Sequence, residues 1–505
     1  MKNVLQWLEE SEIKYSDKTV YSSDESSISF SELKIKSQKI GSGIIKKKFE
    51  SRIPIAVALG KDVKTIAAFL GVVYSGRPYA PIDIEIPEAR ILKILESLNP
   101  AALVTDSEHE AYASECLRKA GCRCSVLNID ELLESELNKD ELTFVRNNMV
   151  STDPLYIIYT SGSSGKPKGV ITSHESLINY IDAYTNVMGI SSSDILGNQS
   201  PLDYIAAIRD IYVPLMTGAQ SYLLGKELFM QPDVLFDKMN EKGVSCVSWS
   251  TSALTVLTKL GAFKNKKLTY LNKVCFSGSV MPGKVLNLWQ INLPNCKFVN
   301  QYGPTEATAS CTYWVVDHLI QEGESIPIGI AYDNYRVFLL NDDGTETKKG
   351  EQGEICVAGP VLALAYYNDI ERTHAAFIQN PLNHSFNELI YKTGDYGSFR
   401  EDGLLEFHGR MDRQIKHMGH RVELDEIENA TMQVQGVKEC AVCYEQEKEQ
   451  IHLFFNGDVE VRDVLIELRN RLPLFMVPRK AQKMELPKLP NGKIDLISLK
   501  ATFTK

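Results

Sequence analysis

Between residues 31 and 74 the hydrophobic period changes twice, and this alternation limits what the chain can fold into. Residues 31–44 repeat at helical spacing, residues 52–59 read as a buried β-type run, and residues 63–74 return to helical spacing. Helices alternating with apolar strands imply an α/β layer architecture. At 505 residues the chain is long for one core, so two or three compact units are expected.

A loop that suits phosphate interrupts this pattern. Residues 159–169 read YTSGSSGKPKG, after an apolar β-type run at 155–159 and before Leu177, Ile181, Tyr184 and Met188 at helical spacing, so the order predicted is strand, loop, helix. Gly162, Gly165 and Gly169 would let backbone N–H groups approach an anion. Thr160, Ser161, Ser163 and Ser164 add hydroxyl donors, and Lys166 and Lys168 add charge. No GxxxxGK[ST] register fits, so this is not a Walker loop. The competing reading is a solvated Gly/Ser turn with two incidental lysines.

Composition narrows the function classes. A formal charge of −10 and a pI near 5.6 argue against a nucleic-acid surface. The ten cysteines are scattered, and the close pairs Cys122/Cys124 and Cys440/Cys443 lack the further ligands of a zinc site, so free thiols are expected. The first residues, MKNVLQWLEESEIKY, carry acids where a secretory signal is apolar, and no run approaches the roughly 18 apolar residues of a membrane span. A cytoplasmic protein with no membrane partner is expected.

YTSGSSGKPKGV resembles the signature of the adenylate-forming superfamily of acyl-CoA ligases, luciferases and nonribosomal peptide synthetase adenylation domains. Within it, the chain looks most like an amino-acid adenylation domain or a free-standing aminoacyl–carrier-protein ligase. The resemblance runs nearly the whole length. It implies a large N-terminal domain over residues 1–411, with layered α/β subdomains and a β-rich one, a hinge over 412–416 centred on Asp412, and a small mobile α+β domain over 417–505. The activity implied is ATP-dependent formation of an acyl-adenylate, then transfer of the acyl group to the phosphopantetheine thiol of a carrier protein, or to CoA. An acyl- or aryl-CoA ligase is the alternative of the same chemistry, and a non-catalytic nucleotide or amino-acid sensor is the alternative of another class. No carrier module follows Lys505, so the thiol is expected from another molecule.

The second strong motif is NQYGPTEAT, residues 300–308. Gly303 and Pro304 make a tight turn, Tyr302 offers a flat ring, and Thr305 and Glu306 set a hydroxyl beside a carboxylate suited to Mg²⁺. By resemblance Tyr302 stacks on adenine, Thr305 touches the α-phosphate, Glu306 binds the magnesium that accompanies ATP, and Asn300 belongs to the nucleotide site. In YKTGD, residues 391–395, Asp395 would accept the ribose hydroxyls, with Arg410 reaching the ribose or phosphates. Residues 363–366 read ALAY where relatives have ARGY, which loses an arginine.

The acid pocket is expected around residues 200–219, SPLDYIAAIRDIYVPLMTGA, where peptide-synthetase relatives hold the substrate ammonium with an aspartate. Two registers are open: one places Ile205 at that position and the other Asp203. Ala206 and Arg209 follow, and Arg209 is either a positive pocket residue or an exposed helix charge. Ser248, Cys275, Ser277, Gln301, Ala309 and Ser310 would complete a small, polar wall. His174 is either a capping or packing residue or lies beside the acid substrate, where an ordinary pKa of about 6.5 would serve. Gly419 and His420 form a turn before a helix from about residue 423, and Lys493, in PNGKID, would bridge the substrate carboxylate and the phosphates. Arg90 and Asp83 are expected to form a local charge pair.

Overall fold

The structure is a computed structural model and describes residues 2–50, 52–162, 166–410, 412–446, 448–488 and 494–504. The alternation seen in the sequence becomes a sheet flanked by helices. Asp62 caps the helix Val63–Tyr74 by accepting from the Lys64 N–H, and Ser29 and Glu32 form a reciprocal capping box on Phe30–Lys46. The ISFSELK motif is thus a helix start. Ile55–Val57 pairs in parallel with Tyr79–Pro81 and Ala102–Thr105. These strands lie within a seven-stranded sheet that also contains Pro154–Thr160 and Lys168–Ser173.

A second sheet of nine strands runs from Ile330–Ala331 to Ser27–Ser29, with Cys246–Ser250, Lys273–Ser277 and Lys297–Tyr302 parallel at its centre. One hydrophobic cluster joins the two sheets through the helices Val63–Tyr74, His174–Met188 and Ala207–Thr217. Phe69 and Tyr79 stack within it, ring centroids 4.4 Å apart. An antiparallel five-stranded sheet follows, built on Gly353–Ala358 and Leu389–Phe399. Beyond it the hairpin Gln414–His417/His420–Glu423 leads into a three-stranded sheet, Val437–Glu445, Gln450–Gly457 and Lys480–Lys483, packed on Leu424–Met432 and Val461–Arg471 with its own core. The mixed α/β class and the β-rich region are as expected.

Two expectations need correction. The phosphate loop does not open a helix: Lys168–Ser173 returns antiparallel to Pro154–Thr160, and the helix begins only at His174. Val170, Ile171 and Thr172 are β-branched and continue the sheet. Arg90 also does not pair with Asp83. Its Nη1 lies 2.8 Å from Glu426 Oε1, a buried contact between the helices Glu88–Leu98 and Leu424–Met432.

Candidate active site

The strand ends bring the two motifs together. Thr160 closes Pro154–Thr160, and Lys168 opens the next strand, directly opposite it in register. Gly162 is required by space, because a Cβ there would meet the Lys166 carbonyl oxygen at 2.2 Å. Thr160 Oγ1 is buried and has no hydrogen-bond partner among the described residues. Such an orphan in a Gly-rich loop fits a phosphate acceptor. Lys166 is exposed, whereas Lys168 is buried with its Nζ 3.2 Å from Glu306 Oε1. Ser163, Ser164, Gly165 and Lys493 lie outside the described residues.

Glu306 is sealed from solvent and saturated. Its carboxylate accepts from Arg421 Nη1 at 2.9 and 3.0 Å and from the Tyr366 hydroxyl at 2.6 Å, with Lys168 beside it. Burial favours its neutral form, but Arg421 and Lys168 outweigh that and hold it well below the carboxylate range. Lys168 moves down to about 8, because burial and Arg421 oppose its charge more than Glu306 supports it. No group of three or more His, Cys, Asp or Glu side chains could hold a metal among the described residues. One carboxylate completed by phosphate oxygens and water is a donor set suited to Mg²⁺, and here two basic side chains supply the positive charge at that carboxylate.

The Tyr302 hydroxyl donates to Asp395, whose other oxygen accepts from Arg410. Lys416 Nζ sits 5.3 Å from the Tyr302 ring centroid, over the face expected to receive a base. Arg410 also clasps Asp412 through Nε and Nη2, at 2.7 and 2.6 Å. Asn300 instead donates to the Pro327 carbonyl and secures the strand. Gly303 cannot carry a side chain, since a Cβ would lie 2.4 Å from Ser310 Cα. The arginine missing from ALAY has a neighbour in Arg372, whose guanidinium lies 6.0 Å from the Tyr366 ring centroid and 3.7 Å from where a Cβ on Gly162 would stand.

A pocket runs from the Gly303, Pro304 and Thr305 turn to Ile205, Ala206, Arg209, Ser277 and Ala309. The hairpin turn closes it with Met418, Gly419, His420 and Arg421. Ile205 therefore faces this pocket, while Asp203 opens into a neighbouring cavity with Asp83 and Lys61. Burial and Asp83 raise the Asp203 carboxyl to about 7. Arg209 is not an exposed helix charge. It is 2% exposed and donates to the hydroxyls of Tyr180, Ser248 and Ser310 at 2.6, 2.9 and 3.0 Å. Cys275 touches Ser248, and Gln301 accepts from Ser310 at 3.2 Å, so both belong to the same network.

His174 is elsewhere. It lies at the helix start, 1% exposed, with Nδ1 3.5 Å from the Val4 backbone nitrogen, and it does not line the pocket. A helix start after Ser173 turns its ring toward the chain's first helix rather than toward the strand ends.

Residues 8–367 match the family described as AMP-binding enzyme. The chain belongs to that family. The D-alanine–D-alanyl carrier protein ligase of Bacillus licheniformis is 30% identical over 502 residues, covering 97% of each chain. Tyrocidine synthase 1 of Brevibacillus parabrevis is 27% identical over 98% of this chain, which spans 44% of that longer protein. An artificially fused adenylation–PCP di-domain from Klebsiella oxytoca shares the fold, with a TM-score of 0.82, 20% identity and coverage of 95% and 94%. As an AMP-binding enzyme the chain is an adenylate-forming ligase that uses ATP.

Sequence reasoning passed over Arg421, Lys416, Tyr366 and Tyr180. The only signal for Arg421 was a basic residue alternating with apolar ones just after the Gly419 turn.

Proposed function

We propose that this ligase joins ATP to a small carboxylic acid and passes the acyl group to the phosphopantetheine thiol of a carrier protein. A carboxylate oxygen attacks the α-phosphorus and pyrophosphate leaves. The thiol sulfur then attacks the acyl carbon and AMP leaves. The observation that carries this reading is the single pocket shared by the acid-wall residues Ile205, Arg209 and Ala309 and the nucleotide turn Gly303–Pro304–Thr305. Two anions meet there, so donors must neutralise them: the Thr160 hydroxyl, Lys168 and Lys493 would do so. Tyr302, Asp395 and Arg410 would hold the nucleoside. Glu306 would hold Mg²⁺, which supplies positive charge to the phosphates when bound.

In this reading Asp412 is the hinge between residues 1–411 and 417–505, and the hairpin turn that now closes the pocket gives way to Lys493 for the first step. The full-length match to a carrier-protein ligase supports the carrier as acceptor. A CoA ligase is the second reading, favoured by Ile205 at the wall where an ammonium would need a carboxylate.

Acid-dependent ATP–pyrophosphate exchange tests the first step, and intact-mass detection of an acylated carrier against acyl-CoA tests the acceptor. Lys493→Ala should slow exchange by roughly 10²- to 10³-fold. Unchanged exchange in that variant would remove Lys493 from the mechanism. Asp412→Pro should spare exchange and impair transfer, and equal loss of both would count against the hinge.

A further inference from the structure

Arg209 sits at the floor of the acid pocket on the helix Ala207–Thr217, and everything it touches is neutral. Three of its five N–H groups go to the hydroxyls of Tyr180, Ser248 and Ser310. Among the described residues the other two have no hydrogen-bond partner and no carboxylate lies within 4.0 Å, while the guanidinium lies 5.9 and 5.7 Å from the Tyr180 and Tyr184 ring centroids. Asp210, next in sequence, accepts instead from Asn198 at 2.7 Å.

The surrounding groups make this floor a surplus of donors. The hydroxyls of Tyr180 and Ser310 both lie within hydrogen-bond range of Gln301 Oε1, at 3.4 and 3.2 Å, which takes up their protons and leaves their lone pairs to Arg209. Gln301 Nε2 is buried with no acceptor among the described residues. Two guanidinium N–H groups and the Gln301 amide nitrogen are thus buried without a hydrogen-bond acceptor among the described residues, which is unfavourable. Arg209 lines the pocket, so a carboxylate entering it would take up the free guanidinium N–H groups.

We infer that the acid bound here carries a second carboxylate at the end distal to the one activated, and that Arg209 binds it. This rests on the adenylation reading above. The wall supports a substrate that needs no ammonium site, since Ile205 and Ala206 are apolar and Asp203 belongs to the adjoining cavity. The pocket lies under the hairpin turn, with Arg209 among its lining residues. Arg209 is thus a specificity-determining residue, and its planar fork matches a carboxylate in two places.

The test is pyrophosphate exchange over succinate, glutarate, aspartate and glutamate, against their monoamides and alanine. The expected result is a kcat/KM preference of at least about 10²-fold for each favoured dicarboxylate over its monoamide. The amino and non-amino members of the panel separate acidic amino acids from simple dicarboxylates. Arg209→Met should abolish the preference, mainly through KM, and Arg209→Lys should keep its direction with a raised KM. Should Arg209→Met fail to fold, the wild-type preference decides alone. Preference for neutral acids, or an unaltered preference in folded Arg209→Met, would overturn the assignment and make Arg209 a brace for Tyr180, Ser248 and Ser310. Absence of exchange with every acid would overturn the adenylation reading instead. A melting shift of the wild type by the same dicarboxylates, lost in Arg209→Met, would still support the anion site in that case.

Discussion

Burial, with a contribution from Arg146, drives the His174 imidazole from its usual range down to about 3. Between pH 6.5 and 3 the unfolded chain then binds a proton that the folded one refuses, so stability falls as pH falls through that window. In His174→Gln the loss of urea stability from pH 7 to pH 4 should shrink, while exchange at pH 7.5 stays within about threefold. A large loss of exchange in a folded variant would return His174 to the chemistry. Thr160 is the converse case, a buried hydroxyl without a partner among the described residues. Thr160→Val should leave the melting temperature nearly unchanged yet lower exchange by about ten- to a hundredfold, since the lost partner would be phosphate. Glycine positions were readable in advance because their space is set by backbone neighbours, as at Gly162 and Gly303. The choice between Asp203 and Ile205 was not, because two extra residues before a helix turn its whole face and only the fold fixes that angle.

Among the elements, the hairpin Gln414–His417/His420–Glu423 closes the pocket. Its two-residue turn has φ of 51° at Met418 and 82° at Gly419, the left-handed pair that matches strand twist. A Cβ on Gly419 would stand 2.9 Å from Ser250 Cβ, so the turn reaches the pocket only as glycine. Tyr204 donates to the Gly419 carbonyl at 2.6 Å, and His420 stacks on Phe475 with centroids 3.8 Å apart. Burial, Arg90 and His417 bring His420 to about 4, so the stack is of neutral rings. Arg421→Ala removes the guanidinium on Glu306 and should tighten Mg·ATP binding in calorimetry by several-fold, with exchange maintained. Weaker binding would mean that Arg421 itself grips the nucleotide. The motif GHRVEL shows a turn and a strand on its face. It cannot show that the arginine side chain reaches a carboxylate 115 positions earlier, because that pairing depends on how two separately packed units dock.

For the molecule as a whole, that docking includes a buried ion pair. Arg90–Glu426 joins the first half of the chain to its last unit, with side chains 10% and 3% exposed. Removing one partner of such a pair costs roughly 3–5 kcal/mol where the geometry is retained. Arg90→Glu should therefore separate the units, read as faster protease cleavage near residues 412–416 and slower carrier loading. Adding Glu426→Arg should restore both, and failure of the double exchange would show that the pair is incidental to docking. Layering and the order of motifs were visible in the sequence because they follow from local period and spacing. The arrangement of the last unit was not, since it depends on pairings between side chains far apart in the chain, as with Arg90 and Glu426. The crowding at Glu306 carries a temporal meaning. An oxygen pair already shared by a guanidinium, an ammonium and a phenol is occupied, so under the proposed function nucleotide entry and turn insertion would be successive tenants of one address.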